Sequence, residues 1–195
     1  MSIGGIIFLV LFVFLVVGLI AYFVVVYNGL VRLHRNIKRN WSNIDVLLKQ
    51  RHDELPKLVS VCEGYMKYER ETLEKITALR SAFLGATTVG EKSRIEGELA
   101  GALKSLFAVA ENYPLLKADK HFTQLQERIS VLENQIADRR EFYNEGVNIY
   151  NIRINQIPDM VVARMFNFGQ EELFKVPEGE RKDVSIKFNF PENKN

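Results

Sequence analysis

The hydrophobic pattern opens with an apolar run over residues 3–26, and the first ionised side chain after it is Arg32. A helix of about 20 apolar residues spans a hydrocarbon core of about 30 Å, so the run predicts a transmembrane helix. A secretory signal peptide is the alternative, but such a peptide begins with basic residues and has a shorter apolar region. The start, Met1-Ser2-Ile3, carries no basic residue, which favours a membrane anchor over residues 1–26.

A helical stripe follows, with apolar positions that alternate by three and four residues within residues 27–84. It consists of Leu48, His52, Leu55, Val59, Cys62, Met66, Glu69, Leu73, Ile76, Arg80 and Phe83. The stripe predicts one long helix, and no turn cluster separates this helix from the membrane span. Pro56 lies inside it and cannot donate a hydrogen bond to the carbonyl of His52, so a kink or a break is expected there.

The next elements are two further helices and a short one. Residues 85–90, GATTVG, predict the turn of a helical hairpin. Helical periodicity then covers residues 91–112 and residues 119–157, with Tyr113-Pro114 between them, and DMVVARMFNF after Pro158 predicts a short apolar helix. At a rise of about 1.5 Å per residue the third helix is much longer than the second. Either it overhangs the hairpin turn, or Tyr113-Pro114 is a bend.

The C-terminal pattern changes to a period of two. Val184, Ile186 and Phe188 share one side of an extended segment over residues 183–190. A single strand is not stable alone, so this segment either lies on the bundle or pairs with another chain. The predicted fold is all-α: a transmembrane helix (1–26), a helical bundle (27–175) and a short extended tail (176–195).

The composition and charge of the chain limit the kinds of partner that it is expected to bind. The 26 basic and 24 acidic residues give a net charge of +2 and are spread along the chain, which argues against a nucleic-acid partner. Four basic residues, Arg32, Arg35, Lys38 and Arg39, follow the apolar run. Since basic residues favour the cytoplasmic side, they predict an outside N-terminus and a cytoplasmic domain, in contact with the lipid bilayer.

Candidate chemistry is sparse. The three histidines have no partner at a spacing such as HExxH, and Cys62 is the only cysteine, so neither a metal nor a cofactor is predicted. His52 lies in the sequence RHDE and would be the candidate general base of a hydrolase, with Asp53 and Glu54. Its position beside Pro56 favours a hydrogen bond that stabilises the kink. The chain is therefore not predicted to be an enzyme.

Other residues are candidates for helix register or for interaction with a partner. Glu69, Arg80 and Arg139 interrupt apolar stripes, where charge is costly unless it is paired or exposed. Trp41 is the only tryptophan, and its distance from the span favours a place in the bundle core over a role at the bilayer interface. Phe166 and Phe168, in RMFNF, would form an exposed apolar patch if they do not pack against the bundle.

Several stretches carry a family resemblance. They are YNGLVRLHRNIKRNWSNIDVLLKQRHDELPKLV, GYMKYERETLEKITALR and NYPLLKADKHFTQLQERISVLENQIADRREFYNEGVNIYN, which includes a YNxxVxxYN motif. Nearly the whole chain resembles the LemA family of bacterial membrane proteins. The resemblance implies an N-outside anchor, a cytoplasmic domain similar to an up-and-down antiparallel four-helix bundle, and no established activity. Some relatives occur beside membrane metalloproteases of the HtpX type, and magnetosome membranes contain a related protein.

These observations lead to one main functional hypothesis. The chain is expected to be a non-enzymatic scaffold or adaptor in the bacterial inner membrane, which forms a homo-oligomer or binds another membrane protein. An accessory role beside a membrane protease is the alternative, and a hydrolase or metal enzyme is the third.

Overall fold

The computed structural model of the chain describes residues 3–175. Over these residues it is helical, without strands, and the all-α prediction is confirmed. The helices are α1 (Ile3–Glu63), α2 (Arg70–Gly85), α3 (Val89–Ala110), α4 (Pro114–Lys117), α5 (Lys120–Asn155) and α6 (Asp159–Met165). The predicted extended segment with Val184, Ile186 and Phe188 lies outside the described residues.

Helix α1 joins the apolar run to the bundle without interruption. It contains a window that is long and apolar enough to cross a membrane. Every residue over 6–25 is exposed, whereas Val26 and Leu30 are buried. The core helix of a soluble protein would bury such a window, so this exposure is what a span surrounded by lipid requires. The proposed domain boundaries themselves stay a prediction.

The prediction of one helix over residues 27–84 is wrong. Helix α1 ends at Glu63, where the Cys62 carbonyl accepts hydrogen bonds from the backbone N–H groups of Tyr65 and Met66. The chain then reverses, and α2 packs back against α1. Glu69 is consequently not a seam position of one helix but the residue just before α2. The apolar stripe concealed the turn because both helices bury the same kind of side chain, and Gly64 is the only local breaker.

Pairs of side chains show that the long helices alternate in direction. On α2, Phe83 stacks on His52 of α1 at 3.9 Å between ring centroids. Lys92, near the start of α3, binds Asp45 on α1 at 2.6 Å. Helix α5 begins near the end of α1 and ends beside Gly29, where an added Cβ would lie 3.0 Å from the Arg153 guanidinium. The arrangement of α1, α2, α3 and α5 is therefore an up-and-down four-helix bundle.

Local signals define the turn between α2 and α3 and the turn between α3 and α5. Thr88 accepts a hydrogen bond from the N–H of Glu91 and Glu91 caps the N–H of Thr88, which forms a capping box at the start of α3. Pro114 occupies the first turn of α4, and Asp119 caps α5 by accepting hydrogen bonds from two backbone N–H groups. The predicted positions of the hairpin turn and of α3 and α5 agree with the structure to within a few residues.

The length mismatch is resolved by an overhang. Helix α5 has 36 residues and α3 has 22, which correspond to about 54 Å and about 33 Å. Past the turn between α2 and α3, α5 continues along α1 towards the apolar run. Helix α6 and the extended residues 166–175 cover this lower part of the α1–α5 pair. The core thus has a four-helix upper half and a lower half closed by the end of the chain.

Pro56 leaves α1 continuous, because α2 supplies the missing hydrogen bond. A residue at position 56 would normally donate its N–H to the carbonyl of His52, and proline cannot. The Nε of Arg80 donates to this carbonyl at 3.0 Å. Arg80, predicted as a charge that interrupts an apolar stripe, therefore completes the backbone hydrogen bonding of α1 from a neighbouring helix.

This contact yields a double-mutant prediction. Replacing Arg80 by Met leaves the His52 carbonyl without its donor, and we expect a loss of about 1–3 kcal/mol in the free energy of unfolding. In the Pro56→Ala background the same replacement is expected to cost much less, because the restored N–H at position 56 donates to that carbonyl. Chemical denaturation in mild detergent, followed by helical circular dichroism, measures both losses.

The matched control is Arg70→Met, on the same helix. Arg70 is exposed, and within residues 3–175 it pairs with Glu74, four residues along, so its loss should leave the free energy of unfolding almost unchanged. An equal cost of Arg80→Met with Pro56 and with Ala at that position would show that Arg80 does not act through the His52 carbonyl.

Candidate functional site

A buried polar layer joins all four long helices at the level of His52. On α1, Arg51 forms ion pairs with Glu96 of α3 and with Glu133 of α5, the second at 3.2 Å. His52 Nε2 lies 2.6 Å from Glu96 Oε1. With Arg80 on the His52 carbonyl, each helix contributes at least one group. Because buried charges need partners, the layer favours one register of the four helices.

The layer does not have the arrangement of a catalytic site. Burial, reinforced by the charges of Arg51 and Arg80, lowers the pKa of His52 to about 3, so the imidazole is neutral at pH 7. Its neutral form donates to the Glu96 carboxylate and stacks on Phe83, both on other helices. The side chain thus contacts α2 and α3 rather than stabilising a kink at Pro56.

The hypothesis of a general-base cluster at His52, Asp53 and Glu54 does not fit this geometry. Asp53 is exposed, whereas His52 is buried on another side of the helix. Glu54 is buried and pairs with Arg128 of α5 at 2.7 Å and with Lys57 at 2.9 Å. The three side chains therefore have separate partners and do not meet.

Cysteine and metal chemistry have no assembled site within residues 3–175. Cys62 is fully buried, and burial raises the pKa of its thiol to about 11, which keeps it protonated at neutral pH. Among the described residues no group of three or more His, Cys, Asp and Glu side chains could hold a metal ion. A second set of polar contacts holds the extended residues 166–175.

Residues 166–175, here named the strap, run along the lower half of the bundle. Asn151 donates its amide N–H to the carbonyl of Glu171 at 2.8 Å and accepts the N–H of Glu171 at 2.9 Å. Asn144, two turns earlier on α5, forms the same pair of bonds with Phe174, at 2.9 and 2.8 Å. Each side-chain amide thereby acts as a neighbouring strand would, and the two clamps hold an extended backbone against a helix.

Aromatic packing fixes the strap between the clamps and α1. Phe174 is buried, with its ring centroid 5.7 Å from Trp41 and with the Arg140 guanidinium 5.8 Å from its own ring. Trp41 also contacts Tyr143, whose hydroxyl donates to the carbonyl of Glu172 at 2.8 Å. Burial raises the pKa of Tyr143 to about 12, so this hydroxyl keeps its proton at neutral pH. Trp41 is therefore partly buried against the core.

The strap also closes the start of α3. The carboxylate of Glu172 accepts the N–H of Gly90 at 3.1 Å, where the helix dipole favours negative charge. Gly90 permits this approach, since a Cβ there would lie 3.0 Å from Glu172 Oε2. Ser93, one turn further, donates to the carbonyl of Lys175 at 3.1 Å. The strap thus joins α5, α1 and α3.

A groove of about 810 Å³ lies along the strap. Its walls are formed by small and charged residues of α3, by Asn151, and by the strap between Glu171 and Lys175. Gly90, Ser93 and Gly97 make the α3 wall shallow. The groove is open to solvent and is not an enclosed reaction site.

The remaining sequence candidates lie at the membrane end or on the surface. The basic residues Arg32, Arg35, Lys38 and Arg39 are all exposed on α1, just after the apolar run. Arg139 is exposed too, so it interrupts the stripe of α5 at no cost. Phe166 is exposed and contacts Tyr27, and Phe168 is partly buried against the core beside His34.

The residues that sequence reasoning missed as functional are Asn144 and Asn151. They belong to the YNxxVxxYN motif, which entered the sequence analysis only through the family resemblance and whose asparagines had no assigned role. The available signal was the repetition of an asparagine after each buried tyrosine, at a spacing of seven residues. Such a spacing places both amides on one helix face, but their partner is 20 to 30 residues away in the chain.

The buried histidine predicts a pH dependence. The pKa of His52 is lowered in the folded protein, so between pH 7 and pH 5 this side chain is protonated only in the unfolded state. Protonation therefore stabilises the unfolded state as the pH falls. We expect the fall in the free energy of unfolding over this range to be about 2 kcal/mol smaller in His52→Gln, which keeps an N–H donor for Glu96. Denaturation at both pH values measures this difference.

The control for the histidine is His121→Gln, at an exposed position on α5. It should leave the pH dependence unchanged. If His52→Gln retained the full wild-type pH dependence, the conclusion that His52 is neutral in the folded protein would be wrong.

The clamps predict the local stability of the strap. Asn144→Leu or Asn151→Leu removes two hydrogen bonds worth roughly 2 kcal/mol together, so amide exchange in residues 169–175 should accelerate by roughly thirtyfold. Asn148→Leu, on an exposed face between the clamps, is the matched control. Hydrogen exchange read by mass spectrometry tests this, and equal exchange in all three variants would contradict the clamp.

Comparison with known proteins identifies the chain's relatives. The model of the LemA family matches residues 40–188. Protein LemA of Metamycoplasma hominis is 34% identical over 184 residues, which cover 91% of this chain and 82% of that protein. Magnetosome protein MamQ 2 of Paramagnetospirillum magneticum is 25% identical over 193 residues, which cover 86% of this chain and 71% of that protein. On this extent of similarity, the chain belongs to the LemA family.

Proposed function

We propose that this protein is a non-enzymatic scaffold tethered to the bacterial inner membrane, whose bundle holds extended polypeptide and assembles with further copies of the chain. The observation that carries the proposal is the pair of asparagine clamps. They bind backbone atoms of Glu171 and Phe174, and backbone contacts of this kind hold an extended segment with little dependence on its side chains.

The groove beside the strap extends this argument. It is bordered by α3 on one side and by the strap on the other, and Lys175 at its edge is the last described residue. The next residues of the chain include the alternating positions Val184, Ile186 and Phe188. We propose that this tail carries the contact between copies. In such an assembly the tail of one copy would bind to the bundle of another, and exchange of an identical segment between copies is a low-cost route to an oligomer.

The polar layer supports the proposal that the protein is not an enzyme. Its members are Arg51, His52, Glu96 and Glu133, and each buried group is paired with another protein group. A catalytic base has to reach a substrate, whereas His52 is enclosed between α2 and α3. The accessory role beside a membrane metalloprotease stays an expectation from the family resemblance.

The membrane tether is proposed to be α1 with its N-terminus outside and the bundle in the cytoplasm. The exposed apolar window over residues 6–25 supports insertion in a bilayer. The basic residues Arg32, Arg35, Lys38 and Arg39 follow it directly and support this orientation.

The test is the native mass of the full chain in mild detergent, with a green fluorescent protein fused after Asn195. Fluorescence in intact cells reports a cytoplasmic C-terminus, because this fusion does not become fluorescent after export through the general secretory route. We expect a defined assembly larger than one copy. The assembly should be reduced to a single copy when residues 176–195 are deleted or when Asn144 and Asn151 are both replaced by Leu.

Three comparisons make this test decisive. Asn148→Leu should assemble like the unaltered chain, because its side chain is exposed and outside the clamps. An assembly that survives removal of the tail would place the contact elsewhere on the bundle. A single copy in every form would contradict self-association, and a chain without fluorescence in cells would contradict the orientation.

A further inference from the structure

The short helix α6 brings apolar side chains to the level of the membrane span. Helix α6 packs against α1 and α5 through Val162 and Ala163, which are buried. Just after it, the ring of Phe166 lies 4.6 Å from that of Tyr27, the residue that follows the predicted span. Phe168 contacts the same tyrosine at 5.9 Å. The end of α6 is thereby fixed to the point where α1 leaves the apolar run.

An apolar groove lies between α6 and the span. It has a volume of about 430 Å³ and is lined by α1 side chains from Val16 to Tyr27 and by Met165 and Phe166. Residues 16–27 cover about 16 Å of helix, so the groove extends from the end of the apolar run into it. If α1 crosses a bilayer, Met165 and Phe166 lie beside the end of the span.

The outer face of this region is apolar as well. Ile157, Met165 and Phe166 are 79%, 64% and 54% exposed, and Val161, one turn before Met165, is exposed beside them. Exposed apolar patches of this kind are rare on surfaces that face water alone. Here the patch is continuous with the exposed span.

The charged side chains at this end of the bundle are also compatible with contact with a lipid bilayer. Asp159, the acidic residue of α6, is buried and paired with Arg153, so it does not oppose contact with an anionic membrane. Arg164 is exposed on α6, and the basic residues that begin at Arg32 lie on the adjoining turns of α1. Basic side chains beside an apolar wedge are typical of a segment that lies at a bilayer surface.

We propose that residues 157–166 form a second membrane contact, a wedge that inserts beside α1 and whose groove takes the acyl chain of a phospholipid. This inference rests on the proposed tether, because α1 has to cross the bilayer for the wedge to reach lipid. The wedge fixes the bundle against the membrane surface, so that the domain has a defined tilt and does not rotate freely about α1.

Depth-dependent quenching of tryptophan by brominated phospholipid tests the wedge. Trp41 is the only tryptophan, so Trp41→Phe gives a full chain in which single tryptophans can be placed. The test position is Phe166→Trp. Phe14→Trp, in the exposed apolar run, reports on the span, and Leu115→Trp, exposed on α4 at the far end of the bundle, is the matched control. Each variant is reconstituted in nanodiscs of phosphatidylcholine and phosphatidylglycerol, with plain or brominated acyl chains.

Bromination is expected to lower the fluorescence of the tryptophan at position 14 and of that at position 166 by more than half, and to leave position 115 unchanged. Quenching at position 14 with none at position 166 would overturn the wedge and leave the tether intact. No quenching at either position would overturn both. If Phe166→Trp loses helical structure, Met165→Trp carries the same test, and an unquenched signal there overturns the wedge as well.

Discussion

The fold depends on how α1 is held at its proline. Pro56 lies inside a helix of 61 residues, and its missing N–H leaves the His52 carbonyl to be satisfied from outside. Arg80 of α2 provides that donor, while the side chains of Arg51 and His52 bind Glu96 and Glu133 on α3 and α5. The missing hydrogen bond at Pro56 thus lies at the same level as the side-chain contacts that join all four long helices. Since a slip of register would leave these buried groups without partners, the layer opposes alternative packings.

The lower half of the bundle is built in another way. Neither α2 nor α3 extends into this half, and α1 and α5 alone cannot bury their apolar faces. The strap and α6 take the place of the missing helices, with Phe174 under Trp41 and with backbone atoms held by Asn144 and Asn151. An extended segment exposes its N–H and C=O groups, and the amide side chains satisfy them as a sheet would. Chain ends are ordered only where they are attached in this way.

The two halves of the bundle carry different features along α1. The upper half is a closed bundle whose buried charges are paired internally, so it provides rigidity and register. The lower half carries the strap with its groove, the basic residues after the apolar run, and the exposed apolar residues around Phe166. Under the proposed function, further copies of the chain and the lipid would both contact this half. The proposed function and the proposed wedge therefore draw on adjoining parts of one surface.

The sequence by itself determined the features that are local in the chain. The uncharged run fixed the candidate span, and helical periodicity with Gly, Thr and Pro signals placed α3, α5 and the turns around them, because such patterns depend on neighbours within a few residues. Even the burial of Leu48, Leu55 and Ile76 could be predicted from the stripe that contains them. The family resemblance added the up-and-down order, which periodicity alone does not contain.

Only the tertiary structure decided what depends on distant residues. The reversal after Glu63 interrupts an apolar stripe that continues in sequence, so the stripe could not reveal it. The donor to the His52 carbonyl is 28 residues away, and Asn144 and Phe174 are 30 residues apart. Residues of ordinary type acquire their roles in these pairs through packing alone. A single sequence states which side chains can bind, but the fold brings the partners together.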